Sequence, residues 1–396
     1  MGRVTFFEIH GLAGRRKVVK HDLGSEVNVF WGANGSGKTS MLKILHSALL
    51  DDPTILLRVP FTRARVGLVG DVSPEQEFVR NFTKADLYAG IPQLPLEMDD
   101  DDAERYIRNL RTHRSPGDES PKWVTEPEPK PGSSFNAVLR HGYLPISRVS
   151  EARRRRTTRP RAVTELIDEA SFDRLFAEQI RDLWSDYNNR ALLQIRNAQE
   201  RGLARILGSV LETRGRPEPR RPAVENAEEA YDIVRKFFAD QRLGAMLKLS
   251  REAFIQNYDS STLVQEVVGE VAEVQKGIDV AQEPQHRIET LLGRLYGGRK
   301  KVELRGSEVV VLVGKESIPL QSLSSGEKQL LQLLLECLAT GPNPVLIDEP
   351  ELSLHVDWQN GLVSCMRTVN EKAQLIMATH APEVMANLRD HDIYEL

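Results

Sequence analysis

Residues 32–39 form a glycine-rich segment, GANGSGKT, that fits the phosphate-binding pattern G-x-x-x-x-G-K-[ST]. Glycines let backbone N–H groups surround a phosphate, and the helix that follows directs its positive end at the same anion. We expect Lys38 to reach the β- and γ-phosphates of a nucleotide, and the Thr39 hydroxyl to bind Mg²⁺. Such a pattern arises by chance in about one of a hundred chains of this length. The predicted phosphate-binding residues are Gly32, Ala33, Asn34, Gly35, Ser36, Gly37, Lys38, Thr39 and Ser40.

Two acids end an apolar run in the segment PVLIDEPELSLH, residues 344–355. The four apolar residues before Asp348 and Glu349 indicate a buried parallel strand, and ligands bind at the carboxyl ends of such strands. We expect Asp348 to bind Mg²⁺ and Glu349 to polarise an attacking water. A strand followed by two acids is common and means nothing alone, but its combination with the glycine-rich segment favours a catalytic interpretation.

A third segment, SLSSGEKQ at residues 322–329, opens an apolar helix 24 residues before Asp348. Its serines could be no more than a helix cap, yet a helix N-terminus is also an anion site. The segment resembles the signature motif of ABC-type ATPases of the OLD, RecF and SMC group. The resemblance implies that Ser324, Ser325 and Gly326 bind the γ-phosphate of ATP held by another subunit, and therefore that the protein is a homodimer. Ser325 replaces the first glycine of the motif's common form.

A histidine follows the last apolar strand, in the segment ATHAPEV at residues 378–384. A lone histidine is more often structural than catalytic. In the family that the chain resembles, a histidine at this place contacts the γ-phosphate. The resemblance therefore gives His380 a catalytic role beside Glu349 and Lys38, and residues 352–355 match a loop that crosses the dimer interface.

One element of the family pattern is not found. The family places a Mg²⁺-sensing glutamine after the strand that follows the phosphate-loop helix. The corresponding run here is residues 143–149, which offers Ser147 and Arg148 instead. No residue is assigned to this role.

The elements that must position these residues come from both ends of the chain. The predicted class is α/β, an ABC-type P-loop ATPase head of mixed sheet and flanking helices. Residues 1–70 and 298–396 form it, with β-like runs at 55–59 and 65–69, a helix at 38–50, and the strand near 143–149. Residues 71–142 are proline-rich and acidic, which indicates a loop-rich, partly disordered insert. Residues 150–297 have helical apolar spacing and are predicted to be a helical insert.

The composition is that of an ordinary globular protein: of 396 residues, 40% are hydrophobic and 28% charged, with a net charge of −4. The two cysteines make neither a metal spacing nor a disulfide framework, which fits a reducing cytoplasm. No apolar run approaches the roughly 20 residues of a membrane-spanning helix. We therefore expect a cytoplasmic protein with no membrane partner.

Residues 148–161 contain seven arginines, among them Arg148, Arg153, Arg156 and Arg161. Such a run could neutralise several phosphates of DNA. It could equally be a solvated loop, or pair with the four consecutive acids at residues 99–102. DNA is therefore a possible partner on sequence grounds.

Three classes of ATP-dependent machine compete. The favoured one is an OLD-like ATPase of a bacterial anti-phage or toxin–antitoxin system, working as a dimeric or larger ATP-dependent switch. Many such proteins carry a TOPRIM nuclease after the ATPase, but the chain continues only 16 residues past His380. The expected effector is therefore a separate nuclease or toxin. The alternative is a DNA-maintenance ATPase of the RecF or SMC kind. A transporter subunit is disfavoured by the long insert, and an AAA+ motor by the signature segment.

Overall fold

The computed structural model describes residues 2–70, 76–88, 122–128, 139–145, 169–211, 224–240 and 250–396. The chain divides into two compact units. The first comprises Met1–Leu183, Leu291–Glu303 and Val309–Leu396, and the second comprises Trp184–Thr290 and Leu304–Glu308.

The described N-terminal elements are mostly strands. In chain order they are β1 (Arg3–His10), β2 (Val19–Asp22), β3 (Val27–Trp31), α1 (Lys38–Leu50), β4 (Arg63–Val69), β5 (Glu77–Thr83), α2 (Lys84–Tyr88), β6 (Val124–Glu126) and β7 (Gly142–Leu144).

Helices dominate the described middle of the chain, and strands return near its end. The elements are α3 (Glu169–Leu211), α4 (Ala227–Asp240), α5 (Arg251–Ser260), α6 (Thr262–Leu295), β8 (Lys300–Arg305), β9 (Glu308–Val313), β10 (Glu316–Ile318), α7 (Ser325–Thr340), β11 (Pro344–Asp348), α8 (Val356–Val369), β12 (Gln374–Thr379), α9 (Pro382–Met385) and β13 (Ile393–Glu395).

Two five-stranded sheets build the first unit. One is antiparallel with strand order β2-β1-β4-β5-β6, and the other is parallel with order β13-β3-β12-β11-β7. β8, β9 and β10 make a small third sheet. Every residue of β11 and β12 is buried, as expected for parallel strands covered on both faces. The predicted α/β class with flanking helices is confirmed; the antiparallel and the parallel strands lie in separate sheets.

Helix α1 lies in the core between the two large sheets. It packs against β4 of the antiparallel sheet and against β11 and β12 of the parallel one. Met41, Leu42, Ile44, Leu45 and Leu49 are completely buried. Such all-round burial is typical of a central helix, and it fixes the start of the helix, which follows the glycine-rich loop, against the parallel sheet.

Helix α7 also lies against the parallel sheet. It contacts β11 and β7, and it packs against α8. From Gln329 to Thr340 all of its residues are buried. The segment that begins this helix is therefore anchored to the strand that ends in Asp348.

The second unit has a core of its own. Val234 of α4, Phe254 and Tyr258 of α5, and Val268 and Val271 of α6 form one buried cluster. The Tyr258 hydroxyl is satisfied by donating to the carbonyl oxygen of Val224, as buried hydroxyls require. The predicted helical character is confirmed in these described helices.

Two local predictions differ from the structure. Residues 53–56 form a 3-10 turn, not a strand, because the Asp52 carboxylate accepts a hydrogen bond from the Thr54 N–H, and Pro53 opens the turn. In the segment predicted as loop-rich, residues 77–88 form β5 and α2, and β5 pairs with β4 along its whole length. The alternation Phe78, Arg80, Phe82 faces the core, and a charged residue at a buried position conceals that alternation.

The predicted division of the chain stays a prediction. β7 pairs with β11 in the parallel sheet, while the first unit extends to Leu183 and resumes at Leu291, inside the predicted helical insert. Ser147, Arg148, the arginine-rich residues 148–161 and the acids at 99–102 lie outside the described residues. Within the described ranges, no helix combines the length and apolar character needed to cross a membrane.

Candidate functional site

Three neighbouring strands end at one edge of the parallel sheet. β3, β12 and β11 lie side by side, with Trp31 paired to Thr379 and Ala378 paired to Asp348. The loops that follow these strands carry the glycine-rich segment, His380 and Glu349 respectively. Because ligands of open α/β sheets bind outside the carboxyl ends of the strands, this edge is the candidate site.

The glycine-rich loop leaves the start of α1 open to an anion. Gly37 precedes the helix with φ of 99°, and no side chain caps the first turn. The first backbone N–H groups of a helix lack intrahelical partners, so an anion can take their hydrogen bonds. A Cβ at Gly37 would lie 3.0 Å from Leu12 Cγ, so both the backbone angle and the packing require glycine.

Lys38 is folded back over this loop. Its Nζ donates to the carbonyl oxygens of Gly32 at 2.7 Å and Ala33 at 3.2 Å, and the residue is only 6% exposed. A Cβ at Gly32 would lie 2.7 Å from the carbonyl oxygen of Leu396. The Ser36 hydroxyl is buried with no hydrogen-bond partner among the described residues. The loop thus places the Lys38 ammonium group and the unsatisfied Ser36 hydroxyl around one small space.

Asp348 is fully buried at the end of β11. Burial raises the pKa of its carboxyl to about 6, the charge of Glu349 adds to the rise, and the hydroxyl of Thr39 and the charge of Lys38 oppose it. Neither carboxylate oxygen has a partner at full hydrogen-bond geometry among the described residues. Two buried oxygens beside a hydroxyl are the hard donors that Mg²⁺ prefers, so the residues present fit that ion.

Glu349 follows in a strained backbone conformation. Its φ is +47°, a value that non-glycine residues rarely adopt and that concentrates at functional sites. Its backbone N–H donates to the Ala378 carbonyl oxygen at 2.8 Å, which ties the turn to β12. The His380 Nδ1 atom lies 3.5 Å from Glu349 Oε1. The two predicted catalytic side chains therefore meet at the sheet edge.

A third acid in the same turn was not singled out from the sequence. Glu351 is 5% exposed, and its Oε1 accepts hydrogen bonds from the Thr379 hydroxyl at 2.7 Å and the His380 N–H at 3.0 Å. Its Oε2 has no partner among the described residues. The only sequence signal was a further acid two positions after Glu349, and its burial depends on the pairing of β11 with β12.

The signature segment begins helix α7. Ser324 caps the helix by accepting from the Glu327 N–H, and the Glu327 carboxylate accepts in return from the Ser324 N–H. Lys300 holds that carboxylate at 2.7 Å, which together with these hydrogen bonds lowers the pKa of Glu327 against the effect of burial. The cap predicted as the structural alternative is thus present.

The same segment lies against the loop after β11, where its glycine is required. Ser324 and Ser325 are exposed, whereas Gly326 is buried and a Cβ there would be 2.7 Å from the Ser353 carbonyl oxygen. Ser353 itself has φ of +62°. Glu349, His380, Lys38 and Asp348 share the sheet edge, whereas the two serines lie at the start of α7.

Comparison with known proteins adds a family. Residues 146–386 match the family described as "AAA domain, putative AbiEii toxin, Type IV TA system". The matched range is more than half of the chain. It includes the signature segment, Asp348, Glu349 and His380, and it does not include the glycine-rich loop.

Two curated relatives are similar over shorter stretches. A "Retron Ec83 probable ATPase" of Escherichia coli is 26% identical over 126 residues, which are 28% of this chain and 23% of the relative. A "Retron Vc95 probable ATPase" of Vibrio cholerae is 30% identical over 99 residues, 22% of this chain and 19% of the relative. The aligned stretches thus span about a quarter or less of the relatives' length.

Among solved structures, the chain is loosely similar to the Smc head domain of Pyrococcus furiosus bound to the C-terminal domain of ScpA, with 14% identity and a TM-score of 0.42 over 99% of this chain and 95% of that one. An Smc head with coiled coil and joint from Pyrococcus yayanosii gives 13% identity and 0.41, over 98% and 94%. On the strength of the family match, this chain belongs to the AAA domain family described as putative AbiEii toxin, Type IV TA system.

Proposed function

We propose that this chain binds and hydrolyses ATP at the edge where β3, β12 and β11 end. The observation that carries the proposal is the meeting there of an uncapped helix N-terminus, a buried lysine, a buried aspartate and a glutamate–histidine pair. Phosphoryl transfer needs little covalent chemistry from a protein, but it needs positioning and charge stabilisation. The relatives called probable ATPases support the same activity.

The binding roles follow from the chemistry of each group. Backbone N–H groups at the start of α1 would bind the phosphates, and Lys38 would exchange its carbonyl partners for phosphate oxygens. Thr39 and Asp348 would hold Mg²⁺. When bound, Mg²⁺ would neutralise charge on the phosphates. It would also compensate the energetic cost of burying the charged Asp348 carboxylate.

The catalytic roles belong to the strained turn and the end of β12. Glu349 would orient and polarise the attacking water, and His380 would contact the γ-phosphate. The positive φ of Glu349 supports this assignment, because backbone strain is concentrated at functional sites, where it holds side chains in the geometry that the mechanism requires.

We further propose that the site is completed by a second copy of the chain. Ser324, Ser325 and Gly326 of that copy would bind the γ-phosphate. The exposure of both serines at the start of α7 supports this role. A dimer held together by ATP would separate after hydrolysis, which makes it a two-state switch, and it could be part of a larger ring.

The test measures mass and hydrolysis together. The Glu349→Gln variant should hydrolyse ATP on the order of 100-fold more slowly and should accumulate as a dimer or larger assembly when ATP and Mg²⁺ are added. Lys38→Ala is the matched control, since it should neither bind ATP nor assemble. An unchanged mass of Glu349→Gln with saturating ATP would contradict the two-chain site.

The switch is proposed to control a separate nuclease or toxin in a defence system. The family description and the retron relatives support this role. Affinity purification with neighbouring gene products, with and without ATP, should recover such an effector. If instead no effector is recovered and DNA stimulates hydrolysis in a strongly salt-dependent way, the DNA-maintenance alternative is correct.

A further inference from the structure

Glu351 lies between the two loops that bear Glu349 and His380. Its backbone carbonyl oxygen accepts from the Leu354 N–H at 3.0 Å and from Gln359 Nε2 at 3.3 Å. Its side chain crosses to β12 and accepts from Thr379 and from the His380 backbone. The carboxylate is therefore fixed in place from both sides.

Glu351 is the nearer of two carboxylates to the His380 ring. His380 Nδ1 lies 3.2 Å from Glu351 Oε1 and 3.5 Å from Glu349 Oε1. The ring nitrogen carries at most one hydrogen, and N–H···O hydrogen bonds usually have donor–acceptor distances of about 2.7–3.2 Å. Both are ion-pair contacts and not formed hydrogen bonds; the shorter one, to the more rigidly anchored carboxylate, is the one closer to hydrogen-bond distance.

We propose that Glu351 is a positioning residue for the ATP hydrolysis proposed above. It fixes the His380 tautomer that carries hydrogen on Nδ1, and it leaves Nε2 as the nitrogen available to a phosphate. It also keeps His380 from engaging Glu349, so that the Glu349 carboxylate stays free for water. The inference rests on the proposed function, but the ring tautomer can be measured without nucleotide.

The unpartnered Oε2 of Glu351 favours this role over a purely structural one. A buried polar atom without a hydrogen bond is costly, and such exceptions in native proteins usually have a functional reason. A residue that only connected the two loops could be one whose buried polar atoms all have hydrogen-bond partners. A carboxylate, in contrast, can only accept when ionised, and so it dictates which histidine nitrogen donates.

The test compares removal of the acceptor with its retention. Glu351→Ala should lower kcat on the order of 10- to 100-fold, as loss of a group that orients a functional histidine does, with the ATP Kd changed less than about twofold. Glu351→Gln keeps an oxygen at the Oε1 position and should restore most of kcat. Glu371→Gln, an exposed acid before β12, is the charge-matched control and should behave as wild type.

The second measurement is the tautomer itself. In nucleotide-free protein labelled with ¹⁵N-histidine, the His380 signal, assigned with His380→Gln, should show the Nδ1–H tautomer. The signal should shift toward a tautomer mixture in Glu351→Ala and remain in Glu351→Gln. Thr379→Val retains the carboxylate but removes one of its donors, and it should give a smaller change in the same direction. This variant keeps the test valid if Glu351→Ala does not fold.

The outcomes separate the two proposals. If the wild type hydrolyses ATP and Glu351→Ala does so equally well with an unchanged tautomer, the positioning role is wrong and the ATPase stands. If the wild type hydrolyses nothing, the proposed function is wrong, and the ¹⁵N spectra alone decide whether Glu351 holds the histidine.

Discussion

Asp348 should make the nucleotide-free protein less stable as pH rises. Its carboxyl is buried, and its pKa is raised from 3.8 to about 6. A raised acid pKa means that the folded state favours the protonated form. The stabilisation is complete below about pH 4 and is lost as pH rises through 6. The pKa difference of about 2 between the folded and the unfolded state corresponds to a free-energy difference of about 3 kcal/mol.

Asp348→Asn removes this titration while it keeps the shape of the side chain. Relative to wild type, the variant should gain about 3 kcal/mol in free energy of unfolding at pH 8 and about half of that at pH 5. Any constant cost of burying the amide shifts both values equally, so the pH dependence is the quantity to measure. Asp357→Asn is the control, because that side chain is 83% exposed.

The assay is urea unfolding followed by tryptophan fluorescence between pH 5 and 8. Trp31, Trp123 and Trp358 lie in the unit that carries the site, so the signal reports mainly on that unit. ATP with Mg²⁺ should stabilise the wild type and not the Asn variant, since only the wild type has the charge that Mg²⁺ neutralises. Parallel pH profiles of wild type and Asp348→Asn would refute the reasoning.

Two further perturbations test the loop and the signature segment. Gly37→Ala should weaken ATP binding at least tenfold and cost about 1–3 kcal/mol in stability, because φ is 99° and the new Cβ would meet Leu12. Gly14→Ala is the control, since its φ is 76° but there is open space around it. Calorimetry and ATP titrations of the two variants separate the effect of backbone strain from that of packing. Ser324→Ala should lose about 1 kcal/mol through its cap, and ATP-dependent assembly as well. Ser325→Ala should lose assembly alone, as measured by mass photometry. An Ser325→Ala variant that assembles normally would remove that serine from the proposed interface.

How far the sequence could predict the site depends on how local each signal is. The helix at 38–50 was predicted correctly because the glycine-rich segment and the apolar residues of α1 are contiguous. β11 and β12 are buried on both faces, so short apolar runs were enough to find them. Glu351 could not be found in this way, since nothing within its own turn reveals that β12 supplies its hydrogen-bond donors.

The two local predictions that differ from the structure have the same kind of cause. β5 presents Arg80 to the core, where its guanidinium donates to the Ala48 carbonyl oxygen of α1, and a buried arginine disguises strand periodicity. The turn at 53–56 contains apolar residues typical of a strand, but the Asp52 side chain and Pro53 determine its backbone. Tertiary partners and local side-chain hydrogen bonds outweighed the apolar pattern in these two places.

The order of the parallel sheet has a consequence for synthesis of the chain. β3 has β12 and β13 as its neighbours, and the nearer of them follows it by roughly 345 residues. At about 5–20 residues per second, a ribosome needs about 20–70 s to cover that distance. Val27, Val29 and Phe30 must therefore stay without these strand partners until β12 has been synthesised. We expect folding to be late, sensitive to translation rate and helped by chaperones that cover this segment.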